Sequence, residues 1–209
     1  LGPDEPQLAR KHPVTRAGLP VREGVGVMAG PADTYLSYGL PWANLSNTPF
    51  RLFKSYVHEG GISTPLIAHW PAGVARHGEF ERQPGHLIDL MATCVDVSGA
   101  AYPREVKGTA IQPLEGVSLV PAFAGQPLVR PAPFIWEHQG NRALRQGRWK
   151  IVAKGPGGAW ELYDVEADRS ELNNLAAQQP DRLRDLATLW DEHARRTHVL
   201  PWPWKAAGK

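Results

Sequence analysis

Side chains that could bind an anion or move a proton are concentrated in the stretch NTPFRLFKSYVHEGG, residues 47–61. Lys54 lies between aromatic residues, and His58 follows four positions later, directly before Glu59 and two glycines. An ammonium is a compact charge with three donors, which suits a tetrahedral oxyanion, and an imidazole can act as a general acid or base. The simpler alternatives are a surface lysine with a solvated ammonium, and a histidine that packs or bonds to the adjoining turn.

Thiol and metal chemistry find little support in the sequence. Cys94 is the single cysteine and lies in ATCVDVS, which excludes an internal disulfide and a cysteine-based zinc site. We interpret it as a small, buried, apolar residue of a helix. Four further histidines are dispersed without metal-ligand spacing: His12, His77, His193 and His198. We therefore predict no metal site within this chain.

The segments that follow Lys54 are predicted to form part of an α/β sheet. ISTPLIAHW, residues 62–70, is apolar and bounded by glycines and Pro71, as in a strand buried on both faces, although Pro65 favours a strand start or an edge. Residues 86–98 predict a helix, and Gly99 is placed to end it. Its apolar stripe comprises Leu87, Leu90, Met91, Cys94 and Val95. A strand followed by a helix is typical of an α/β sheet.

The last third of the chain has a different pattern, typical of a small α+β unit. Residues 134–137 and 142–153 are predicted as β segments, and 160–165 as a strand that pairs with the second across the turn at 155–158. Pro180 suits the first position of a helix. That helix has one apolar face, formed by Leu183, Leu186, Ala187, Trp190 and Ala194.

Composition argues against several classes of partner. With 23 basic and 21 acidic residues, the net charge of +2 gives no reason to expect nucleic acid or an anionic membrane surface. No run of about 18 apolar residues could span a membrane, and the first 30 residues lack the pattern of a signal peptide. The 21 glycines and 20 prolines predict many loops. We expect the chain, which starts at Leu1, to be part of a longer polypeptide.

Five blocks, in order along the chain, carry a family resemblance. They are NTPFRLFKSYVHEGGISTPLIAHWP at 47–71, HLIDLMATCVDVSGAAYP at 86–103, EGVSL at 115–119, EHQGNRALRQGRWKIV at 137–152 and WELYDVEADRSELNNLA at 160–176. Together they resemble the C-terminal portion of the sulfatase family, in the alkaline-phosphatase-like superfamily, and look most like bacterial arylsulfatase-like proteins.

The resemblance implies a fold class and a domain organisation. The fold is an α/β fragment with a mixed or parallel sheet and flanking helices, followed by a small α+β subdomain with an antiparallel sheet and one long helix. We predict a loop or insertion at 1–40, the C-terminal part of the α/β catalytic domain at 41–132, the α+β subdomain at 133–199 and a tail at 200–209.

The resemblance also implies a sulfuric ester hydrolase whose reactive groups lie elsewhere. The family's nucleophile is a formylglycine made from Cys or Ser in a Cys/Ser-x-Pro-x-Arg motif, and oxygen ligands hold a divalent cation, usually calcium. This sequence contains neither that motif nor the Asp-Asn-Gly metal motif. We therefore expect calcium and formylglycine in the full-length enzyme, neither of them in this chain, and no activity from the chain alone.

Three residues of this chain are candidates for the active site on the same resemblance. Lys54 matches a lysine that contacts the sulfate in relatives. His138 lies in a loop that can reach the pocket mouth in relatives, so it or Asn141 could face the substrate; the alternative is a hydrogen-bonded loop residue. His58 could take part in catalysis, although relatives often carry an aromatic residue there.

Two further residues are expected to be structural. Glu59 is expected to brace the turn at Gly60-Gly61, where the glycines would permit unusual backbone angles and act as a hinge. Asp89 resembles an acidic residue that starts a helix in the family.

Two other functions stay open at this point. A phosphodiesterase or phosphonate hydrolase uses the same scaffold, and the nucleophile motif upstream would discriminate it from a sulfatase. A non-catalytic glycan- or protein-binding module is the second, because six tryptophans lie in the last third: Trp136, Trp149, Trp160, Trp190, Trp202 and Trp204. Most of these are expected in the core.

The expected partners follow from the same considerations. An aryl or carbohydrate sulfate ester would be the substrate of the full-length enzyme, and the missing N-terminal part would complete the sheet. A sheet truncated in this way exposes an edge and an apolar face, so we also expect self-association. Family habit favours a periplasmic or secreted location.

Overall fold

The computed structural model describes residues 13–35, 39–76 and 78–200. The helices are α1 (Gly39–Ser46), α2 (Glu59–Ile62), α3 (Leu87–Ser98), α4 (Val120–Phe123) and α5 (Pro180–Arg196). The strands are β1 (Glu105–Val106), β2 (Thr109–Ala110), β3 (Phe134–His138), β4 (Asn141–Gln146), β5 (Trp149–Ala153) and β6 (Glu161–Asp164). The tail predicted at 200–209 falls outside the described residues, apart from Leu200.

Four strands form one sheet in the order β3-β4-β5-β6. The β5–β6 pairing is antiparallel, as predicted, across the turn at 155–158. The segment 142–153, predicted as one strand, is instead two strands that form a hairpin with Gln146 opposite Trp149. A turn at Gly147, where φ is 59°, separates them. The sequence RQGRW contains that turn signal, but the apolar residues on either side obscure it.

Helix α5 covers one face of this sheet, and its predicted apolar face is confirmed. Pro180 is its first residue. A backbone N–H at this position would have no acceptor within the helix, so proline costs no hydrogen bond there. The buried residues of this core alternate along the strands and recur along the helix: Leu144, Ile151, Leu162, Leu186, Trp190 and Ala194. The period of two in strands and 3.6 in helices produces this pattern, so the α+β unit is built as the sequence predicted.

The opposite face of the sheet is buried as well. Its apolar residues, Ala143, Val152 and Tyr163, pack with Val57, and the partly buried Ile62 lies against them. The segment that carries Lys54 therefore lies over this face. Burial on both faces explains why β5 is apolar at nearly every position.

Helix α3 begins and ends where the sequence predicted. The His86 ring accepts from the Ile88 N–H, while Asp89 accepts from the His86 N–H at 2.7 Å, which completes a capping box. Asp89 is fully buried and also accepts from the Val117 N–H and from Arg130. Gly99 ends the helix in the left-handed conformation, with φ of 64°. The structural role predicted for Asp89 is confirmed.

Two predictions for residues 62–98 are wrong within this chain. Residues 63–70 form no strand, and Leu66 and Ile67 are 60% and 90% exposed. The stripe on α3 is also largely exposed: Leu87 is 77% and Met91 57% exposed, and Cys94 is exposed and not buried. A strand needs partners for its backbone groups, and an apolar helix face needs a sheet to cover it. Among the residues that the structure describes, no strand pairs with residues 63–70 and no sheet covers this face of α3.

Residues 13–35 of the predicted loop contain isolated bridges, Val14 to Pro20 and Arg22 to Thr34, and no helix or extended strand, whereas the last two residues of that loop, Gly39 and Leu40, already belong to helix α1. By contacts, residues 13–64 and 135–200 form one compact unit and residues 65–134 a second, within which the β1–β2 hairpin lies. The domain division predicted at 41–132 and 133–199 stays a prediction. No described helix is both long and apolar enough to cross a membrane.

Candidate functional site

Lys54 occupies an exposed turn on the segment that covers the sheet. Two residues beside it have left-handed backbones, Leu52 with φ of 63° and Ser55 with φ of 84°. Such conformations are unfavourable for residues with a Cβ atom and persist only where surrounding contacts impose them. The contacts that hold this turn therefore determine where Lys54 lies.

A buried ion cluster anchors the segment at its C-terminal end. Lys150, fully buried in the middle of β5, lies 2.9 Å from Glu59 Oε1 and 2.8 Å from Glu171 Oε1. The other oxygen of Glu171 accepts from the Glu59 N–H at 2.8 Å, and Arg169 approaches Glu59 Oε2 at 3.3 Å. Burial alone would raise the pKa of Glu59, but the Lys150 and Arg169 charges outweigh it and hold that pKa below its usual range. Glu59 thus braces the segment through the sheet.

Arg51 anchors the other end of the segment. Its guanidinium donates to the Tyr163 hydroxyl at 2.9 Å and to the Glu171 carbonyl at 2.6 Å. It also lies 3.6 Å from Glu161 Oε2. Lys54 is therefore held between two attachments to β5, β6 and the residues after them.

His58 is buried between these attachments. Its imidazole is 1% exposed, and Nε2 lies 3.2 Å from Glu161 Oε2. The bond from His58, with further bonds and charge from Tyr163 and Arg51, lowers the pKa of Glu161 to about 2. Burial and the adjacent Glu161 carboxylate raise the pKa of Tyr163. The packing and hydrogen-bonding interpretation of His58 agrees with this environment, because a ligand has no access to the ring here.

The glycine pair acts through close approach and not through unusual angles. Both residues belong to α2, and neither has a left-handed backbone. A Cβ atom on Gly60 would lie 2.2 Å from the Arg51 and Leu52 carbonyl oxygens, and one on Gly61 would lie 1.9 Å from that of Tyr56. The predicted hinge is thus a compact helical turn on which the Lys54 loop folds back.

Asn141 connects the Lys54 turn to the loop of His138. Its Nδ2 donates to the Ser55 carbonyl at 2.8 Å and to the His138 carbonyl at 3.1 Å, and its Oδ1 accepts from the Gly155 N–H at 3.1 Å. The backbones that carry Lys54 and His138 are therefore neighbours. The sequence offers Asn141 as an alternative residue that faces the substrate, but in the structure its amide is occupied by these three bonds.

Three cationic or ionisable residues lie on the backbone segments that meet at Asn141. Lys54, His138 and Lys154 are all exposed. The Lys154 ammonium lies over the ring of Tyr56, 5.8 Å from its centroid. Within the described ranges, neither lysine forms an ion pair with a carboxylate. The sequence alone does not indicate Lys154, since only the fold brings the end of β5 beside the Lys54 turn.

The donor set does not match a metal site. Among the residues that the structure describes, no three His, Cys, Asp or Glu side chains are grouped so as to hold an ion. Glu59, Glu161 and Glu171 are committed to the cationic and hydrogen-bonding partners given above. The arrangement can instead bind an anion at its exposed lysines.

Comparisons with known proteins agree with this description. The sequence model of the family described as N-sulphoglucosamine sulphohydrolase, C-terminal, matches residues 50–193. An uncharacterized sulfatase of Schizosaccharomyces pombe is 29% identical over 180 residues, which cover 83% of this chain and 32% of the relative. N-acetylgalactosamine-6-sulfatase of Mus musculus is 30% identical over 134 residues, which cover 63% of this chain and 24% of the relative.

Among solved structures, that of Ps i-CgsB matches 71% of this chain and 32% of its own, with a TM-score of 0.58 and 25% identity. The chain spans 32% of the length of the S. pombe relative and smaller shares of several others. The predicted fold class and resemblance are confirmed. Since this family match covers more than half of the sequence, the chain belongs to the sulfatase family, and it matches the family's C-terminal region.

Proposed function

We propose that the protein to which this chain belongs hydrolyses sulfate esters, of an aryl group or a carbohydrate, and that Lys54 contacts the sulfate. One observation carries the assignment: Lys54 is exposed and forms no ion pair with the described residues, yet its turn is held by a buried ion cluster on one side and by partly buried hydrogen bonds of Arg51 on the other. Family membership supplies the reaction class.

In this proposal the ammonium of Lys54 neutralises the sulfate oxygens as charge develops in the transition state. A positive charge held in place before the reaction is worth more than one that must be reoriented. His138, at the exposed end of β3, faces the same substrate. The buried His58 contributes to the site indirectly, through its contact with Glu161.

The nucleophile and the cation belong to other parts of the protein in this proposal. A formylglycine and a calcium ion would supply the oxygen nucleophile and the charge that activates it. The described residues of this chain offer no donor set for a metal. A periplasmic or secreted location is part of this proposal because bacterial sulfatases are often exported.

The test compares Lys54→Ala with Lys107→Ala in the full-length protein. Lys107 is exposed and lies in the β1–β2 turn, so its loss removes the same charge elsewhere. With a chromogenic aryl sulfate, we expect Lys54→Ala to lower kcat/KM by about 100-fold, as for the loss of one oxyanion donor, and Lys107→Ala to leave it within about twofold. The isolated chain should give no turnover.

Two results would contradict the proposal. Equal activity of Lys54→Ala and the unmodified protein would remove Lys54 from the site. Turnover of an aryl phosphonate or phosphodiester in place of the sulfate would assign the protein to another reaction class on this scaffold. Metal-dependent turnover by the isolated chain would overturn the expectation that the chain alone is inactive.

A further inference from the structure

One side chain, Asn141, forms hydrogen bonds with three turns: the Lys54 turn, the turn between β3 and β4, and the turn that follows β5. Each of its polar atoms is used: Nδ2 donates to Ser55 O and His138 O, and Oδ1 accepts from the Gly155 N–H. Gly155 directly follows Lys154. The amide therefore touches all three segments that present a cation or an imidazole to solvent.

Each linked turn contains a left-handed residue. Ser55 has φ of 84°, Gln139 has φ of 52° and Gly155 has φ of 66°. The first two carry side chains, so their conformations are unfavourable in isolation and depend on bonds to their surroundings. Asn141 makes bonds directly at Ser55 and beside Gln139. Removing the amide should let these turns relax without opening the core, which lies on the sheet faces.

We propose that Asn141 is a positioning residue that sets the spacing between Lys54, His138 and Lys154, and so makes one anion-binding surface from three turns. This inference rests on the proposed function, because the anion it serves is the sulfate ester. Asn141 does not touch the substrate. It acts through the carbonyl groups of Ser55 and His138, whose positions fix the neighbouring side chains.

Asn141→Asp is the sharpest variant. Its carboxylate keeps an acceptor for the Gly155 N–H but places an oxygen against two carbonyl oxygens, where the native amide donates. A protonated carboxyl group can donate one bond again. In the full-length protein, we expect kcat/KM to fall by about 10- to 100-fold at neutral pH, the usual result of a small misplacement. Part of the loss should be recovered, relative to the native protein, as the pH falls towards about 4.

Asn141→Ala separates positioning from charge. It removes the donor and the acceptor together, so the same loss is expected without recovery at low pH. The amide hydrogen exchange of Gly155 should become faster in Asn141→Ala and stay slow in Asn141→Asp, which retains the acceptor. This readout does not require activity. Asn173→Asp is the matched control, because Asn173 is exposed and its side chain forms no hydrogen bond with the described residues.

The outcomes distinguish this inference from the proposed function. If Lys54→Ala is impaired while both Asn141 variants retain native kcat/KM, the positioning role is overturned and the function stands. If Asn141→Asp shows a loss that does not change with pH, or Asn173→Asp shows an equal loss, the positioning role is overturned as well. If Lys54→Ala is fully active, the proposed function fails and this inference with it.

Discussion

At the scale of single residues, Lys150 has the least ordinary environment. It is fully buried in a strand, and two carboxylates, Glu59 and Glu171, lie within 2.9 Å of its ammonium. Taking three charges out of water is unfavourable unless all of them remain paired. Since one of the carboxylates belongs to the Lys54 segment and the lysine to the sheet, the pairing ties the candidate site to the core.

Lys150→Met should therefore lower the free energy of unfolding by about 3–5 kcal/mol, because it leaves the buried Glu171 without a cation and Glu59 with Arg169 alone. Urea denaturation measures the change. Arg184→Ala is the control: its partner Asp181 lies at 2.8 Å, but both side chains are more than two-thirds exposed, so the loss should stay below about 1 kcal/mol. Similar losses in the two variants would show that the buried cluster adds no stability beyond a surface pair.

Glu161 predicts a stability that depends on pH. Its pKa of about 2 in the folded protein lies below the ordinary value of 4.5. A lowered pKa stabilises the fold fully above about pH 4.5, and this contribution is lost as the pH falls towards 2. The Glu161 side chain is 25% exposed, so we expect about 1–3 kcal/mol at neutral pH.

The measurement is the free energy of unfolding of Glu161→Gln and of the native protein between pH 7 and pH 2. The difference should be largest at neutral pH and shrink below about pH 4.5. Glu105→Gln changes an exposed carboxylate that forms no ion pair with the described residues, and should show little difference at any pH. A difference for Glu161→Gln that is constant with pH would contradict the assignment.

The residues of the site were predictable to different degrees from the sequence. Lys54 could be proposed as a candidate because its neighbours in the chain form a recognisable block. The partners of Lys150 could not, since Glu59 is 91 positions away in sequence and only the fold brings the two together. A lysine within the apolar strand WKIVA was the available signal, because a buried charge requires a partner.

At the scale of elements, α2 depends on its two glycines for packing space. The carbonyl oxygens of residues 51, 52 and 56 occupy the positions that a Cβ atom would take. Backbone atoms cannot move aside as the end of a flexible side chain can. The loop that carries Lys54 can therefore fold closely against α2, because positions 60 and 61 have no side chain.

Gly60→Ala and Gly61→Ala should each destabilise the protein by about 2 kcal/mol or more, a large value for the addition of one methyl group. Gly157→Ala is the matched control in the turn between β5 and β6, where no atom lies within 4 Å of the added Cβ. It should be neutral or slightly stabilising, because alanine restricts the unfolded chain. Thermal denaturation of the three variants makes the comparison, and equal midpoints would exclude the packing explanation.

The elements themselves were predictable where their partners are local. The β5–β6 pair and helix α5 pack against each other within residues 149–196, and both were predicted. The strand expected at 62–70 was wrong for this chain, because a strand exists only where a second strand accepts its backbone bonds. The apolar pattern of this segment, like the apolar stripe on α3, indicates a buried surface. It does not identify the surface that covers it.

At the scale of the whole molecule, apolar side chains that the sequence predicted to be buried are exposed. In the unit formed by residues 65–134, Ile67 is 90% and Leu87 77% exposed. Apolar surface removed from water stabilises association by roughly 25 cal/mol per Å². Monomeric proteins rarely leave large contiguous apolar patches uncovered, so the isolated chain should find a partner surface.

We therefore expect the isolated chain to self-associate, with helix α3 as the main contact. Sedimentation velocity at increasing concentration should show oligomers, and the double variant Leu87→Glu/Met91→Lys should shift the distribution towards monomer by placing charges on the helix face. Leu172→Lys is the control, because Leu172 is 73% exposed but lies outside this helix. Since α3 is capped at both ends by its own residues, the double variant should retain the helix in circular dichroism. A stable monomer of the unmodified chain at high concentration would mean that this apolar face tolerates water, and the argument from exposed surface would fail.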